Sequence, residues 1–562
     1  MNKDTSRRAP VQVRADDPTL TGGAGLLLSG ELVHRLELVS RLDTAINAVR
    51  EFKQRRRGRS AGELLMSLAE MILLGGNHLA HLEMLRQDAA GRELRAVAAT
   101  PPPSTAGQLL RRLTRRQCYA AVAALAEAGN RFDTELGLAA GEPVDLDLDA
   151  TTTEVYGDQK QGAEFNYEGR RSYLTQMCSW SQRTRVVAAE LLRGKAAPKR
   201  SAVALVRRAL AALPAGHGPV SMRADSDYYF LDLLHFCRRR SVRFAVSVPR
   251  SSAMWHALER IDPGAWQPAL EMAHAEVAET SYSPTGWRHE PLRLLIRRVP
   301  VEAAKISHSP RSRRRRTIPY EQLKLALSGD LDAVYGYSFI ITDRLGPAAT
   351  EELWQRQRAH VEERVRDGKS NGLIHLPLGT MRANFGWLVA TVTATNLMAM
   401  LSATVRKVAP QAEVPPDFDS EQTPRYRTSP TLRRWLIAMP ARGSTTPANC
   451  TCACPGAGGG PTPSPPPMTG CACSRSPEDP PSRRSLCPSQ HPQLPHALIA
   501  TSGSSGRSSS AQQPVRPAPA SYSRSRSTHQ WRPRTPPMLA CPALSALLTD
   551  PGKALPRNNL DK

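Results

Sequence analysis

The chain has 562 residues, more than a single hydrophobic core usually serves, so several domains are expected. Its 75 Lys and Arg residues outnumber 51 Asp and Glu residues, and the formal charge of +24 favours a polyanionic partner, above all nucleic acid. The opening residues, MNKDTSRRAPVQVRADD, lack the apolar segment of a secretory signal, so a cytoplasmic location is expected.

An N-terminal helical domain is predicted over residues 31–141, after a flexible N-terminus of residues 1–30. Apolar residues recur there at the three- and four-residue intervals of a helix with one buried stripe: Leu64, Leu65, Leu68 and Ile72. Farther along, Thr114 and Gln117 have the spacing of a capping box, in which each side chain binds the other residue's backbone N–H. This spacing predicts the start of a second helix.

Two basic runs lie beside these predicted helices. They contain Lys53, Arg55, Arg56, Arg57 and Arg59 in the first, and Arg111, Arg112, Arg115 and Arg116 in the second. Cations of this kind neutralise DNA phosphates, but a solvated helical surface carries the same residue types. The residues alone therefore leave two interpretations open, a domain that binds DNA ends and an ordinary helical domain.

Strand-like sequence begins near Pro143 and forms the first part of an α/β core, residues 142–250. Apolar Val144, Leu146 and Leu148 alternate with three aspartates that end at Asp149, which predicts a strand with carboxylates on one face. More strands are predicted at residues 172–179, 185–192, 219–224 and 242–248, with a helix at residues 199–213.

Two aspartates stand where predicted strands end. Asp149 ends the first strand and Asp225 ends the strand at residues 219–224, so both carboxylates are expected at one edge of a sheet. Mg²⁺ prefers oxygen ligands, and two such ions can activate the attacking oxygen and stabilise the leaving oxygen in phosphodiester chemistry. Aspartates also end strands simply as turn formers, and the local pattern does not separate the two explanations.

A β-rich insertion is predicted at residues 251–344. Strand-like runs at residues 292–299 and 334–342 flank an arginine cluster that includes Arg313, Arg314 and Arg315. This cluster is a second candidate for contact with DNA phosphates.

The core is predicted to resume as helices over residues 345–405. In the helix predicted at residues 350–367, Arg358 and Glu362 are four residues apart and Lys369 follows seven residues later, so the three share one helix face. Such a face can bind a metal and phosphates, although exposed helices commonly carry ion pairs at this spacing.

The uncharged stretch at residues 385–403 approaches the ~20 residues of a membrane span. Its Thr, Asn, Gly and Ser content favours a core helix, so no membrane partner is expected.

Residues 406–440 are predicted to be a basic extension. Residues 441–562 form a low-complexity segment that is expected to be disordered, because it cannot bury enough apolar surface.

The cysteines predict no metal site. Cys118, Cys178 and Cys237 have the spacing of neither a zinc site nor a disulfide framework, and they are expected to be small buried residues. The other seven lie in the C-terminal low-complexity segment, where C-x-C pairs are closer than the usual C-x2-C spacing of zinc ligands.

Three segments together resemble the catalytic blocks of bacterial DDE insertion-sequence transposases. Within that group, they are most similar to the insertion-sequence family numbered thirteen-eighty. The segments are VDLDLDATTTEVYGDQKQGAEFNYEGRRSY, MRADSDYYF and RQRAHVEERVRDGKSNGLIHLP. The resemblance covers roughly residues 31–403, and it depends on the order and combination of the blocks. It implies an RNase H-like catalytic core, a mixed sheet flanked by helices and interrupted by the β-rich insertion.

The resemblance also implies a chemistry. Asp149, Asp225 and Glu362 would be catalytic and would bind two Mg²⁺ ions, or Mn²⁺ in their place. Arg358 and Lys369 match the arginine and lysine of the family's Tyr-Arg-Glu-Lys signature and would bind phosphates. The implied reaction is cleavage at transposon ends and strand transfer. The implied partners are terminal inverted repeats and target DNA, bound by a homodimer in the cytoplasm at the bacterial nucleoid.

In similar transposases the insertion helps to hold a base flipped out of the duplex, and Trp287 is a candidate for stacking on it. The alternative for Trp287 is a tryptophan packed in the core.

The chain also departs from the signature. Gln355 takes the place of the tyrosine, Asp227 stands where similar proteins commonly have glycine, and Gly368 interrupts the predicted helix. Two alternatives follow: a decayed transposase that only binds DNA, and a related metal-dependent nuclease.

Overall fold

The computed structural model describes residues 17–54, 57–138, 141–309, 312, 314–358, 366–408 and 429–442. Its N-terminal part is helical, as predicted. The helices are α1 (Leu26–Arg35), α2 (Leu38–Val49), α3 (Ala61–Leu73), α4 (Leu82–Gln87), α5 (Pro103–Leu110) and α6 (Arg115–Glu135). The capping box at Thr114 and Gln117 is present, and it fixes the first turn of α6.

The first helix begins earlier than the sequence predicted. Leu26 and Leu28 of α1 are buried in the N-terminal core, and a two-residue strand, β1 (Leu20–Thr21), precedes them. The expectation of a flexible segment up to residue 30 is therefore wrong for residues 26–30, because burial of these leucines orders the chain there.

The centre of the protein is a mixed sheet with RNase H-like topology. Its core strands are β2 (Val144–Glu154), β4 (Arg171–Trp180), β5 (Arg185–Arg193), β6 (Val220–Ala224) and β7 (Arg243–Val248), and a short β3 (Glu164–Phe165) pairs with β4. The order is β5-β4-β2-β6-β7, in which β4 runs antiparallel to its neighbours while β6 and β7 run parallel to β2. The predicted α/β core is confirmed.

Helices cover both faces of this sheet. On one face, α7 (Lys199–Ala211) and α8 (Leu231–Arg239) pack on the apolar side of β2, including Leu146 and Leu148. On the other face lies α11 (Ala348–Arg356), reached by the polar side chains of β2. The alternation predicted for β2 therefore separates a core face from a polar face.

The residues of the predicted insertion extend the same sheet. Strands β8 (Gln267–Pro268), β9 (Glu276–Tyr282), β10 (Leu292–Glu302) and β11 (Ala333–Thr342) continue it. Helix α9 (Ser252–Leu258) precedes β8, and α10 (Tyr320–Ser328) lies between β10 and β11. Strand β11 pairs antiparallel with β7, and β10 and β9 follow in order. The insertion is thus β-rich, as predicted, and it is joined to the catalytic sheet by continuous pairing.

The uncharged stretch is the centre of α12 (Met381–Val408), which packs among α3, α6 and β5. By length and composition this helix is apolar enough to cross a membrane, but 89% of its most apolar stretch is buried inside the protein. Burial among other helices supports the predicted core helix.

The described C-terminal residues return to the N-terminal helices. They comprise α13 (Ser429–Leu432), a π turn at Arg433–Ile437 and a short strand β12 (Ala441–Arg442), which pairs with β1. The expectation of disorder is thus wrong for residues 441 and 442, because the backbone of β12 is paired. Residues 443–562 of the predicted tail lie outside the described residues. Cys118, Cys178 and Cys237 are buried, as predicted.

Candidate active site

Strand pairing brings Asp149 and Asp225 to the same level of the sheet. Strands β2 and β6 are parallel, with Asp147 opposite Arg223 in the register. Asp149 lies two residues farther along β2, and Asp225 lies two residues beyond Arg223, directly after the end of β6. Side chains two residues apart along a strand lie on the same face. The strand register therefore brings the two carboxylates together at one edge of the sheet, as the sequence predicted.

A single guanidinium group joins the two carboxylates. Nη2 of Arg358 donates to Oδ1 of Asp149 at 2.8 Å and lies 3.6 Å from Oδ2 of Asp225. The same nitrogen donates to the carbonyl oxygen of Leu148 at 2.8 Å. One cationic group thus occupies the space between two acidic side chains from adjacent strands.

Burial shifts the pKa values of both aspartates upward. Burial raises the pKa of Asp149 to about 6, with the charge of Asp225 adding to the rise and the Arg358 guanidinium opposing it. Burial also raises the pKa of Asp225, which Arg358 again lowers and Asp227 raises. The side chains are 18% and 37% exposed, so the pair is half-buried and still reachable from solvent.

A tight turn after β6 holds Asp225. Its Oδ1 accepts the backbone N–H of Asp227 at 3.0 Å, and its carbonyl oxygen accepts the backbone N–H of Tyr228 at 3.2 Å. The turn places the Tyr228 side chain in the core, fully buried. Asp227, which departs from the family pattern, is exposed and leaves the turn intact.

A closed polar cluster lies next to this pair on the same face of β2. Arg223 donates to both carboxylate oxygens of Asp147, at 2.6 and 3.0 Å, and to the carbonyl oxygen of Trp354 at 2.7 Å. Nε1 of Trp354 in turn donates to Asp145 at 3.1 Å. Sequence reasoning assigned no role to Arg223, although its place two residues before Asp225 was a signal that it shares the face of that carboxylate.

Helix α11 is hydrogen-bonded to the ends of β6 and β7, next to Asp225. Nε2 of Gln355 donates to the carbonyl oxygen of Ala224 at 2.9 Å and lies 3.5 Å from Oγ of Ser247. The residue that replaces the signature tyrosine is therefore buried and bound to the ends of β6 and β7. This contact fixes where the chain continues toward Arg358.

Comparison with known proteins agrees with this arrangement. A family model described as transposase DDE domain, group 1, matches residues 3–309, more than half of the chain, and this region contains Asp149 and Asp225. The chain belongs to this family. Its members are phosphoryl-transfer enzymes, and the match ends before Arg358.

Among solved structures, the transposase chain is similar to the cryo-EM structure of a piggyBac transposase synaptic complex with hairpin DNA. The sequence identity is 10%, the match covers 73% of this chain and 79% of that chain, and the TM-score is 0.36. No curated protein sequence matches the chain significantly.

Several predicted site residues of this transposase lie outside the described residues: Glu362, Arg55, Arg56 and Arg313. The helix predicted at residues 350–367 is described as α11 only to Arg356, and Arg358 lies in a turn after it. The prediction of one continuous helix is wrong at this point, because the chain turns to bring Arg358 to the aspartates. The position of Glu362 on a shared face stays a prediction.

Lys369 begins a π turn that ends at Leu373 and packs against the sheet. The carbonyl oxygen of Leu373 accepts the Thr153 hydroxyl of β2 at 2.9 Å. Gly368 is buried in a helical conformation, and a methyl group there would lie 2.9 Å from Leu373 Cδ1. The absence of a side chain at Gly368 thus allows a close approach between two parts of this turn.

The remaining predicted DNA contacts are spread over the surface. Arg57 and Arg314 are exposed, and Arg315 is half-buried, with Nη1 donating to the carbonyl oxygen of His308 at 2.6 Å.

Trp287, the candidate for base stacking, is only 8% exposed, and its ring stacks on His235 with 4.9 Å between centroids. Its burial favours the alternative, a tryptophan packed in the core.

The charges of the two N-terminal basic runs influence each other. Burial lowers the pKa of Lys53, Glu63 opposes this, and the guanidinium of Arg112 adds to the lowering, so cations of both runs act on one another. Arg115 of the second run instead pairs with buried Glu190, which also accepts from Arg208 at 2.8 Å. The basic surface therefore comprises only part of the two runs.

Within the part of the chain that the structure describes, no group of three His, Cys, Asp or Glu side chains is arranged to hold a metal ion. The pair Asp149 and Asp225 nevertheless fits a divalent cation. Its oxygens are hard ligands, and they already face one cationic group, the Arg358 guanidinium.

Proposed function

We propose that this chain is a Mg²⁺-dependent DNA transposase of the insertion-sequence family thirteen-eighty, which cleaves transposon ends and transfers the freed strand to target DNA. Membership in the DDE transposase family supports a phosphoryl-transfer activity. The observation that carries the proposal is the contact of Asp149 and Asp225, from adjacent parallel strands, with the same nitrogen of Arg358.

Asp149 and Asp225 would hold the divalent ions together with Glu362, which follows in the chain. When bound, two such ions lower the barrier of phosphodiester cleavage by activating the attacking oxygen and stabilising the leaving oxygen. The protein contributes position: the parallel register of β2 and β6 sets both carboxylates level before substrate arrives.

Arg358 would exchange its partners during this process. Its guanidinium neutralises the two carboxylates in the free protein, which keeps two nearby anions from repelling each other. With the carboxylates holding divalent cations, the Arg358 guanidinium would be free to bind a DNA phosphate, which its planar group can contact through two parallel hydrogen bonds. Lys369 would supply a second phosphate contact.

DNA is the proposed partner, in the form of terminal inverted repeats and target DNA. The formal charge of +24 and the proximity of Lys53 and Arg112 support an electrostatic interface on the N-terminal helices. Two ends must be joined in one complex, so we propose a homodimer on DNA, located in the cytoplasm at the nucleoid.

The test compares end cleavage with end binding for wild type and D225A, in Mg²⁺ and in Mn²⁺. We expect D225A to lose cleavage by at least about a thousandfold, equivalent to roughly 4 kcal/mol of barrier, because it removes a ligand of the ions. Binding to an end-containing duplex should be unchanged. D227A is the matched control: it removes an exposed carboxylate whose charge raises the pKa of Asp225, but it leaves the backbone N–H that binds Asp225 Oδ1 in place, so cleavage should stay within a few-fold of wild type.

Cleavage that survives in D225A would remove this aspartate from the site. Wild-type protein that binds ends but cuts them in neither metal would support a decayed DNA-binding protein, the alternative that Gln355 in the signature suggests. Cleavage without joining of the ends to target DNA would support a nuclease.

A further inference from the structure

We propose that a histidine cluster, formed by His78, His81 and His375, binds a phosphate of the DNA backbone and makes this contact when it is protonated. The inference rests on the proposed function only in its choice of DNA as the partner, because the cluster is separate from Asp149 and Asp225. None of the three histidines is among the site residues that the sequence predicted.

Two segments that are distant in sequence bring the three rings together. His78 and His81 lie in the turn after α3, and His375 follows the π turn that begins at Lys369. The ring of His78 lies edge-on to both neighbours, with 4.2 Å between its centroid and that of His375 and 5.3 Å to that of His81. His78 is exposed and the other two are half-buried, so a ligand can reach the cluster from solvent.

A lysine adds a fourth basic group beside the cluster. Nζ of Lys160, in the loop after β2, donates to the carbonyl oxygen of Leu376 at 2.5 Å, next to His375. Among the residues that the structure describes, the charged groups that act on His78 are His375, His81 and Lys160, all of which are bases. A surface of bases without an acidic partner favours an anion as its ligand.

The hydrogen bonds of Asn77 decide which ring nitrogen can take up a proton. Nδ1 of His78 lies 2.6 Å from the amide oxygen of Asn77 and can only donate to it, so Nε2 of His78 is the nitrogen that gains a proton. Nδ1 of His81 accepts the backbone N–H of Asn77 at 3.1 Å. Protonation of His78 therefore adds a donor without breaking a bond, whereas protonation of His81 at Nδ1 would break one.

Electrostatics keep His78 neutral near pH 7 and favour its protonation when an anion binds. Burial lowers the pKa of His78, and the charges of the neighbouring bases lower it further. A DNA phosphate at the rings offsets that repulsion and raises the pKa, so binding takes up a proton. The affinity for DNA should therefore rise as the pH falls below 7.

The cluster lies toward the end of the strand that carries Asp149. The Thr153 hydroxyl of β2 donates to the carbonyl oxygen of Leu373, two residues before His375. Four residues of a strand separate Thr153 from Asp149, which is roughly 13 Å. One DNA molecule bound at the carboxylates can therefore reach the cluster as well.

The test compares wild type with H78Q/H375Q, which removes two rings and leaves the bond of His81 to Asn77 in place. Binding to a fluorescent DNA duplex is followed by anisotropy at pH 6 and pH 8 over a series of salt concentrations. Any duplex serves, because phosphate contacts carry no sequence information. EDTA is present throughout, so that neither cleavage nor a metal bound to the histidines contributes.

Each phosphate neutralised by a cation adds about 0.9 to the slope of log affinity against log salt concentration. At pH 6 we expect H78Q/H375Q to lose roughly one unit of this slope and about five- to thirtyfold in affinity, the usual value of a hydrogen bond to a charged group. At pH 8 both quantities should equal those of wild type, because the rings are neutral there. Equal binding at pH 8 also shows that the variant is folded.

H217Q/H256Q is the matched control. His217 and His256 are both exposed and lie outside the cluster, and Nδ1 of His217 lies 2.8 Å from the carbonyl oxygen of Gly218. This variant also removes two imidazole rings from the surface. It should keep the wild-type slope and affinity at both pH values.

Three results would overturn the inference. If H78Q/H375Q matches wild type at pH 6, the cluster binds no phosphate, while the proposed function stands. If the variant is weaker by the same factor at both pH values, the contact does not depend on protonation. If wild type binds the duplex at neither pH, DNA is not the partner and both proposals fail. A wild type that cuts no DNA but shows the expected pH difference would refute the proposed catalysis and support this inference.

Discussion

Asp147 and Asp149 lie two residues apart on the same face of β2, yet their surroundings differ. Asp147 is fully buried and makes a two-bond ion pair with Arg223, whose side chain is 4% exposed. Asp149 is partly exposed and shares the single Arg358 nitrogen with Asp225. The first aspartate completes a closed cluster, whereas the second stands at an open site with too little positive charge for two carboxylates.

This difference separates stability from function along one strand. A buried carboxylate paired with a buried cation is compatible with a stable fold. Removing either partner destabilises the protein, because it leaves the other charge buried and unpaired. A carboxylate pair that shares one cation is left electrostatically incomplete, a state that an additional cation relieves. We therefore expect substitutions at the two positions to affect different measurements.

The largest expected difference is in folding stability. D147N should lower the free energy of unfolding by about 3–5 kcal/mol, because Arg223 is left buried without its carboxylate. D149N should leave it unchanged or raise it by up to roughly 3 kcal/mol at neutral pH, since ionisation of the buried Asp149 costs about that much and the amide does not ionise. Urea unfolding of both variants measures this, and equal losses in the two would refute the distinction.

A pH dependence should mark the open site. The pKa of Asp149 is raised from 3.8 to about 6, so the folded protein holds this proton more tightly than the unfolded chain. Its contribution to stability is full below pH 4 and is lost as the pH rises from 4 through 6, by roughly 3 kcal/mol. Urea unfolding with a chelator from pH 4 to pH 7 should show this loss in wild type.

The D149N variant supplies the control for the pH series, because its side chain does not ionise. A wild-type profile parallel to that of D149N would show that burial does not perturb Asp149, and the contrast with Asp147 would lose its electrostatic basis.

The smallest expected change in folding stability is for Trp354, which borders the closed cluster of Asp147 and Arg223. W354F should lower the free energy of unfolding by about 1 kcal/mol, because the hydrogen bond from Nε1 to Asp145 is lost while the ring beside Arg223 remains. W354F should retain end cleavage within a few-fold of wild type if the closed cluster serves stability. A large loss of cleavage would instead connect the two clusters.

Much of the fold could be predicted from the sequence because its signals are local. The alternation in residues 144–149 gave β2 and its polar face, and the capping residues Thr114 and Gln117 gave the start of α6. Each of these patterns reflects a single element and a period of two or 3.6 residues. The polar content of residues 385–403 also indicated that α12 is a core helix.

Other features depended on contacts between distant residues. The pairing of β7 with β11 joins the insertion to the catalytic sheet. The ion pair with Arg223 gives Asp147 a structural role, which differs from the role of Asp149 two residues later. Neither leaves a local pattern, because pairing and charge compensation depend on which strands become neighbours.

The sequence by itself determined the elements, the core face of β2 and the residue types able to bind a divalent cation. Only the tertiary structure decided that Asp149 and Asp225 meet at one guanidinium, whereas Asp147 has the buried Arg223 guanidinium as its own partner. The physical reason is range: periodicity acts within a few residues, whereas desolvation and charge balance are set by everything that packs around a group.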